Sequence, residues 1–104
     1  MRQTENGSML MRLGLSQHEA HVYLALYGRL NNIGEAASVT QELATSHASI
    51  YRALKQLERR GFVRKTRVIR SAQFRALPLA QALVNYADWQ RKQVHELLIQ
   101  QQAQ

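Results

Sequence analysis

Most of the chain sorts its hydrophobic and polar positions with a helical period. From Gln17 to Leu30 the apolar residues Ala20, Val22, Tyr23, Leu24, Ala25, Leu26 and Tyr27 cover most of a helix circumference, the mark of a central core helix. Ser16-Gln17-His18-Glu19 ahead of it is a capping box, in which the serine hydroxyl and the glutamate carboxylate each satisfy a free backbone amide. Asn31-Asn32-Ile33-Gly34 breaks the pattern. A short helix over Glu35–Leu43 follows, with Ala37, Val39, Thr40 and Leu43 facing inward. Thr45–Gly61 is organised more sharply. Thr45-Ser46 caps it, Ile50, Ala53, Leu54 and Leu57 recur at i, i+3, i+4, i+7, and Gly61 ends it as a left-handed cap. Before all of these, residues 1–8 read as a flexible terminus, and Met9–Leu13 as a helical turn closed by Gly14.

Beyond Gly61 the period changes to that of strands. Phe62–Thr66 and Ser71–Ala76 read as a hairpin around Arg67-Val68-Ile69-Arg70. Pro78 suits the first position of a helix, where its missing N–H costs nothing, and nothing interrupts that helix until about Gln101. Roughly 24 residues at 1.5 Å each give about 36 Å, more than a small domain covers. Leu79, Leu83, Tyr86, Ala87, Val94, Leu97 and Leu98 form its apolar stripe. Leu83, Tyr86, Val94, Leu97 and Leu98 are therefore the candidate dimerisation surface, for a parallel or antiparallel pairing with a second copy. The expected fold class is mainly α with a small β-hairpin: a flexible terminus 1–8, a winged helix-turn-helix unit 9–77, and a long C-terminal helix 78–104.

Charge sharpens this picture. The chain of 104 residues carries a formal net charge of +7. Residues 45–76 hold Arg52, Lys55, Arg59, Arg60, Arg64, Lys65, Arg67, Arg70 and Arg75 against Glu58 alone, a net of +8, while the flanking segments nearly cancel. A block of this kind attracts polyanions. On the helix within it, Ser49, Arg52, Gln56 and Arg59 repeat at spacings of three, four and three on a face separate from the apolar one. A helix with one dry face and one basic, hydrogen-bonding face suits the major groove of double-stranded DNA. Ser46, His47, Ser49 and Arg52 lie towards its N-terminal end, where base edges are read, and Arg52 has the geometry to read guanine in bidentate fashion. Tyr51, Lys55, Arg59 and Arg60 fit backbone contacts. Arg64, Lys65, Arg67 and Arg70 would reach phosphates or the minor groove from the hairpin.

Other functional classes find little support. There is no cysteine, so neither a disulfide framework nor a thiolate metal site. His18, His21, His47 and His95 lack ligand spacing; no metal and no cofactor are expected. No glycine-rich phosphate loop or nucleophile motif points to an enzyme. No signal-peptide core or membrane-length apolar run is visible, which makes a cytoplasmic location the simplest expectation. The competing class is a winged-helix protein-interaction module that docks partners on its last helix; the localised positive charge weighs against it.

The order of short motifs resembles the DNA-binding domain of the TrmB-like winged-helix transcriptional regulators. Leu13-Gly14-Leu15-Ser16, Glu19-Ala20, Val22-Tyr23 and Ala25-Leu26 match the family's first helix and its lead-in. Ser49-Ile50-Tyr51, Ala53-Leu54, Leu57-Glu58 and Gly61-Phe62-Val63 match its recognition helix and first wing strand, and Phe74-Arg75-Ala76-Leu77-Pro78 the strand that leaves the wing. The likeness covers residues 9–83. It implies recognition helix 45–61, wing 62–76, and a homodimer on DNA that regulates transcription. Two departures stand out: Ala44 occupies the usual turn-glycine position after a shortened second helix, and Val68-Ile69 the usual glycine or proline of the wing tip. Larger members carry a C-terminal domain for small effectors, so no effector site is carried over.

Overall fold

Ser16 begins the central helix as expected. Its hydroxyl accepts from the Glu19 amide at 3.0 Å while its own amide donates to the Glu19 carboxylate at 2.9 Å. The structure, a computed structural model, describes residues 2–68 and 72–103, with side chains for 6–29, 31–66 and 72–103. Its elements in chain order are α1 (Arg2–Arg12), α2 (Gln17–Tyr27), a single 3-10 turn (Leu30–Asn32), β1 (Ile33–Glu35), α3 (Ala36–Leu43), α4 (His47–Arg60), β2 (Val63–Val68), β3 (Ala72–Ala76) and α5 (Leu79–Gln102).

Four elements depart from the sequence reading, most of them for a long-range reason. The first helix starts at Arg2, inside the segment expected to be flexible, and Leu10 from it is fully buried in the common core. Helix α2 stops at Tyr27, and Asn31 and Asn32 then take positive φ angles of 57° that turn the chain back. Asparagine tolerates that conformation better than most residues. The expected break after α2 holds a strand: β1 pairs antiparallel with β3, Ile33 opposite Arg75 and Glu35 opposite Gln73, giving a three-stranded sheet in the order β1-β3-β2. Entry from that strand sets the phase of α3, so Ala36 and Val39 are buried while Ala37 is exposed and Thr40 and Leu43 are only partly covered.

Helix α4 follows its pattern closely. Ser46 caps it by accepting from the Ser49 amide at 3.1 Å, and Ile50, Ala53, Leu54 and Leu57 are buried. Gly61 ends it at φ 89°, in the left-handed region, and Phe62 then swings into the core. Tyr23 of α2 meets Phe62 edge-on at 5.5 Å, Phe62 meets Tyr86 of α5 at 5.4 Å, and Phe74 of β3 closes the cluster. The Tyr23 hydroxyl donates to the Leu77 carbonyl at 2.6 Å. Burial, and secondarily the neighbouring Tyr27, hold that phenol above its ordinary pKa, so it stays a neutral donor.

Strands β2 and β3 pair Val63 with Ala76, Arg64 with Arg75 and Lys65 with Phe74; the ladder then skips Thr66 and resumes with Arg67 opposite Gln73. The Thr66 hydroxyl bridges the irregularity to the Gln73 carbonyl at 3.3 Å. Pro78 proves to be the cap of α5 and not its first helical residue. The first half of α5 packs on the body through Ala82 and Tyr86, but every described residue from Gln90 onward is exposed. Among the described residues no helix is long and apolar enough to cross a membrane.

Candidate nucleic-acid interface

The helix-turn-helix is α3 and α4, joined by Ala44, Thr45 and Ser46. Its second helix exposes His47, Arg52, Lys55 and Arg59, with Ser46 exposed at its cap and Ser49 and Gln56 partly covered, so the polar row read from the sequence lies on one outer face. Ser46 is already engaged as a cap, which leaves its hydroxyl a weaker candidate reader than Ser49 or Arg52. Tyr51 is half-buried. Its ring meets Phe74 edge-on at 6.4 Å, lies 6.2 Å from the His47 ring, and carries the Lys55 ammonium 5.5 Å from its centroid. Tyr51 therefore acts as a prop between α4 and the sheet, holding His47 and Lys55 in place on its outer side.

Arg60 leaves the basic set. Sequence reading gave it a backbone contact, but its guanidinium is ion-paired to Glu19 at 3.1 Å, lies 5.4 Å over the Trp89 ring, and its side chain is only 20% exposed. Arg75 joins the set instead. It is exposed and stands directly across the ladder from exposed Arg64. Two like charges opposite each other repel, so this pairing is unfavourable until an anion comes between them. Lys65 sits across from Phe74 in the other row and is partly covered. Arg70 and the Arg67 side chain lie outside the described residues.

Of the dimer candidates, Tyr86 is a core residue: it is 6% exposed, stacks on Trp89 at 5.8 Å, and donates its hydroxyl to the Leu13 carbonyl at 2.7 Å. Leu83 is half-buried. Val94, Leu97 and Leu98 are 55%, 61% and 55% exposed, and Ile99, absent from the sequence set, joins them at 51%. A separate cleft of about 640 Å³ lies between α1, α2 and α3, lined by Met11, Leu24 and Leu43 with the Arg29–Glu42 ion pair at its edge. Among the described residues no group of three or more histidine, cysteine or acidic side chains is placed to hold a metal ion.

A family model described as sugar-specific transcriptional regulator TrmB matches residues 10–80. The chain belongs to the TrmB family. The family is one of transcriptional regulators, not enzymes. Solved structures agree on the fold. TrmBL2, described as an archaeal chromatin protein with a novel mode of DNA binding, superposes with a TM-score of 0.73 at 23% identity, covering 99% of this chain. A structure described as a transcriptional regulator reaches 0.72 at 19% identity over 89% of this chain, and the transcriptional regulator PA3341 reaches 0.59 at 22% over 96%. The chain spans 39% and 63% of the first two of these proteins. No curated protein sequence matches it. The TrmB match contains α2 to β3 whole, and with them the outward row of α4 and the Arg64–Arg75 pair.

Proposed function

We propose that this TrmB-family chain binds double-stranded DNA sequence-specifically as a homodimer, with α4 in the major groove and the β2–β3 wing on the adjacent backbone. The observation that carries the reading is the undivided outer face of α4: Ser49, Arg52, Gln56 and Arg59 lie along it, its apolar residues being wholly turned away. In this reading residues 9–77 are the DNA-binding unit and 78–104 the dimerisation element. Val84, Ala87, Arg91, Val94 and Leu98 follow alternate steps of three and four, the seam along which two helices pair. A two-fold dimer sets its recognition helices about one DNA turn, or roughly 34 Å, apart.

Selection of bound duplexes from a random library tests the proposal. A two-fold symmetric consensus supports it; recovery of unrelated sequences at equal affinity rejects it. If six to eight phosphates are neutralised, the log–log slope of affinity against salt is expected to be about −5 to −7, and a slope near zero would remove the electrostatic basis of the argument. Single substitutions separate the two halves of the interface. Arg52→Ala is expected to lower discrimination between the selected site and random DNA by about 1–3 kcal/mol. Arg64→Ala is expected to weaken both alike. Equal loss of specificity from the two would show that base reading does not reside in α4.

A further inference from the structure

The C-terminal end of α4 and the base of α5 are joined by a set of contacts that involves none of the DNA-facing residues. The Asn85 side-chain amide donates to the Gly61 carbonyl at 2.8 Å and is itself oriented by Gln81, whose amide donates to the Asn85 oxygen at 2.9 Å. One residue before Gly61, the Arg60 guanidinium lies 5.4 Å over the Trp89 ring and bonds to Glu19 at 3.1 Å. The Trp89 ring stacks in turn on Tyr86, their planes 12° apart. Asn85 and Trp89, one helical turn apart, thus grip the last residue of α4 and its cap.

We propose that this joint fixes the angle between the recognition helix and the long helix, and through it the spacing between DNA half-sites that the dimer accepts. Asn85 and Trp89 are then positioning residues for specificity. The inference rests on the dimeric DNA-binding reading above. Leverage makes the angle matter. From Asn85 to Leu98 the helix rises about 20 Å. A pivot of about 10° at the joint moves the distal pairing surface by about 3.4 Å, the rise of one base pair along the duplex. Packing of Ala82 and Tyr86, with the Tyr86–Leu13 hydrogen bond, ties α5 to the body, while rotation of α5 against α4 itself is opposed at the joint. Asn85 and Trp89 resist that rotation because each reaches across to α4. The charge-bearing Arg60 is committed here by Glu19, a residue whose other task is capping α2, so the joint also refers α5 to the central helix.

The test uses the full chain and duplexes carrying two copies of its selected half-site, with the spacer varied by single base pairs. Wild type is expected to prefer one spacer. The double variant Asn85→Ala/Trp89→Leu is expected to keep the half-site consensus but to lose about tenfold in discrimination against spacers one base pair longer or shorter, the combined factor of one hydrogen bond and one cation–π contact. Trp89→Phe, which retains a ring face for Arg60, is expected to keep the wild-type preference. A thermal melt confirms that the variants are folded at the binding temperature, and Asn85→Ala alone, expected to show the same relaxation in smaller degree, replaces the double variant if that one is not. A uniform loss of affinity at every spacer, or no change at any, overturns the inference while leaving the dimeric reading standing. Absence of any two-fold site for wild type overturns both.

Discussion

Leu97→Glu together with Leu98→Glu is expected to leave a folded monomer that binds a two-fold site about a hundredfold more weakly than wild type. Both leucines are more than half exposed and lie in the stretch of α5 that packs on nothing in the described chain. Their replacement removes no core contact, so the melting transition of the domain should barely move. In a paired helix the same change places one carboxylate in the seam at position 98 and another on its flank at position 97, where the cost of desolvating them is not recovered. The second half-site then ceases to be bound intramolecularly, and the avidity that linkage confers is lost. Sedimentation and a binding titration on the same preparation measure the two effects. Persistence of a dimer would move the pairing surface elsewhere. A wild-type chain that is already monomeric, yet captures a different protein through α5, would favour the interaction-module reading instead.

The second large effect is on stability, and it has opposite signs at two equivalent places. Helices α3 and α4 both end on a residue in the left-handed conformation: Ala44 at φ 51° and Gly61 at φ 89°. A side chain in that region costs about 1–2 kcal/mol. At Gly61 a Cβ would also stand 2.3 Å from the Asn85 Cβ, an overlap that forces α5 away and takes the Asn85–Gly61 hydrogen bond with it. Gly61→Ala is therefore expected to destabilise by about 3 kcal/mol or more, a large part of the 5–15 kcal/mol typical of a domain. Ala44 already bears the left-handed cost. Ala44→Gly relieves it and gives back part through the greater freedom of the unfolded chain, for a net gain of about 0.5–1 kcal/mol. Urea denaturation of the two variants decides the matter. Equal and small shifts would mean that neither cap is conformationally restrictive.

Local signals were legible in the sequence and remote ones were not. The Ser16 capping box, the Ser46 cap, the apolar face of α4 and its stop at Gly61 depend on residues within a few positions of each other, and all are found. Strand β1 depends on β3, some forty residues later, and three residues of it are too few to show alternation. Arg60 looked like one more positive charge of the recognition helix because its two partners, Glu19 and Trp89, are distant in the chain. Arg75 was counted in the basic block but not placed at the site. Pairing the two strands from their buried ends, Val63 against Ala76, would have set it opposite Arg64. Tyr86 shares its spacing with the exposed stripe of α5, and periodicity does not say where a helix leaves the body that covers it.

The skipped residue in the wing has its own consequence. In an unbroken ladder the pleat would give position 67 to the row of Lys65 and Phe74. Because Thr66 is extra, position 67 falls opposite Gln73, which shares its row with Arg75 and Arg64. One inserted residue thereby changes the parity of the ribbon between the Arg64–Arg75 pair and the rung at Gln73. A one-residue deletion at Thr66 would restore strict pairing with position 67 still opposite Gln73, whereas a second insertion beside it would move position 67 into the other row.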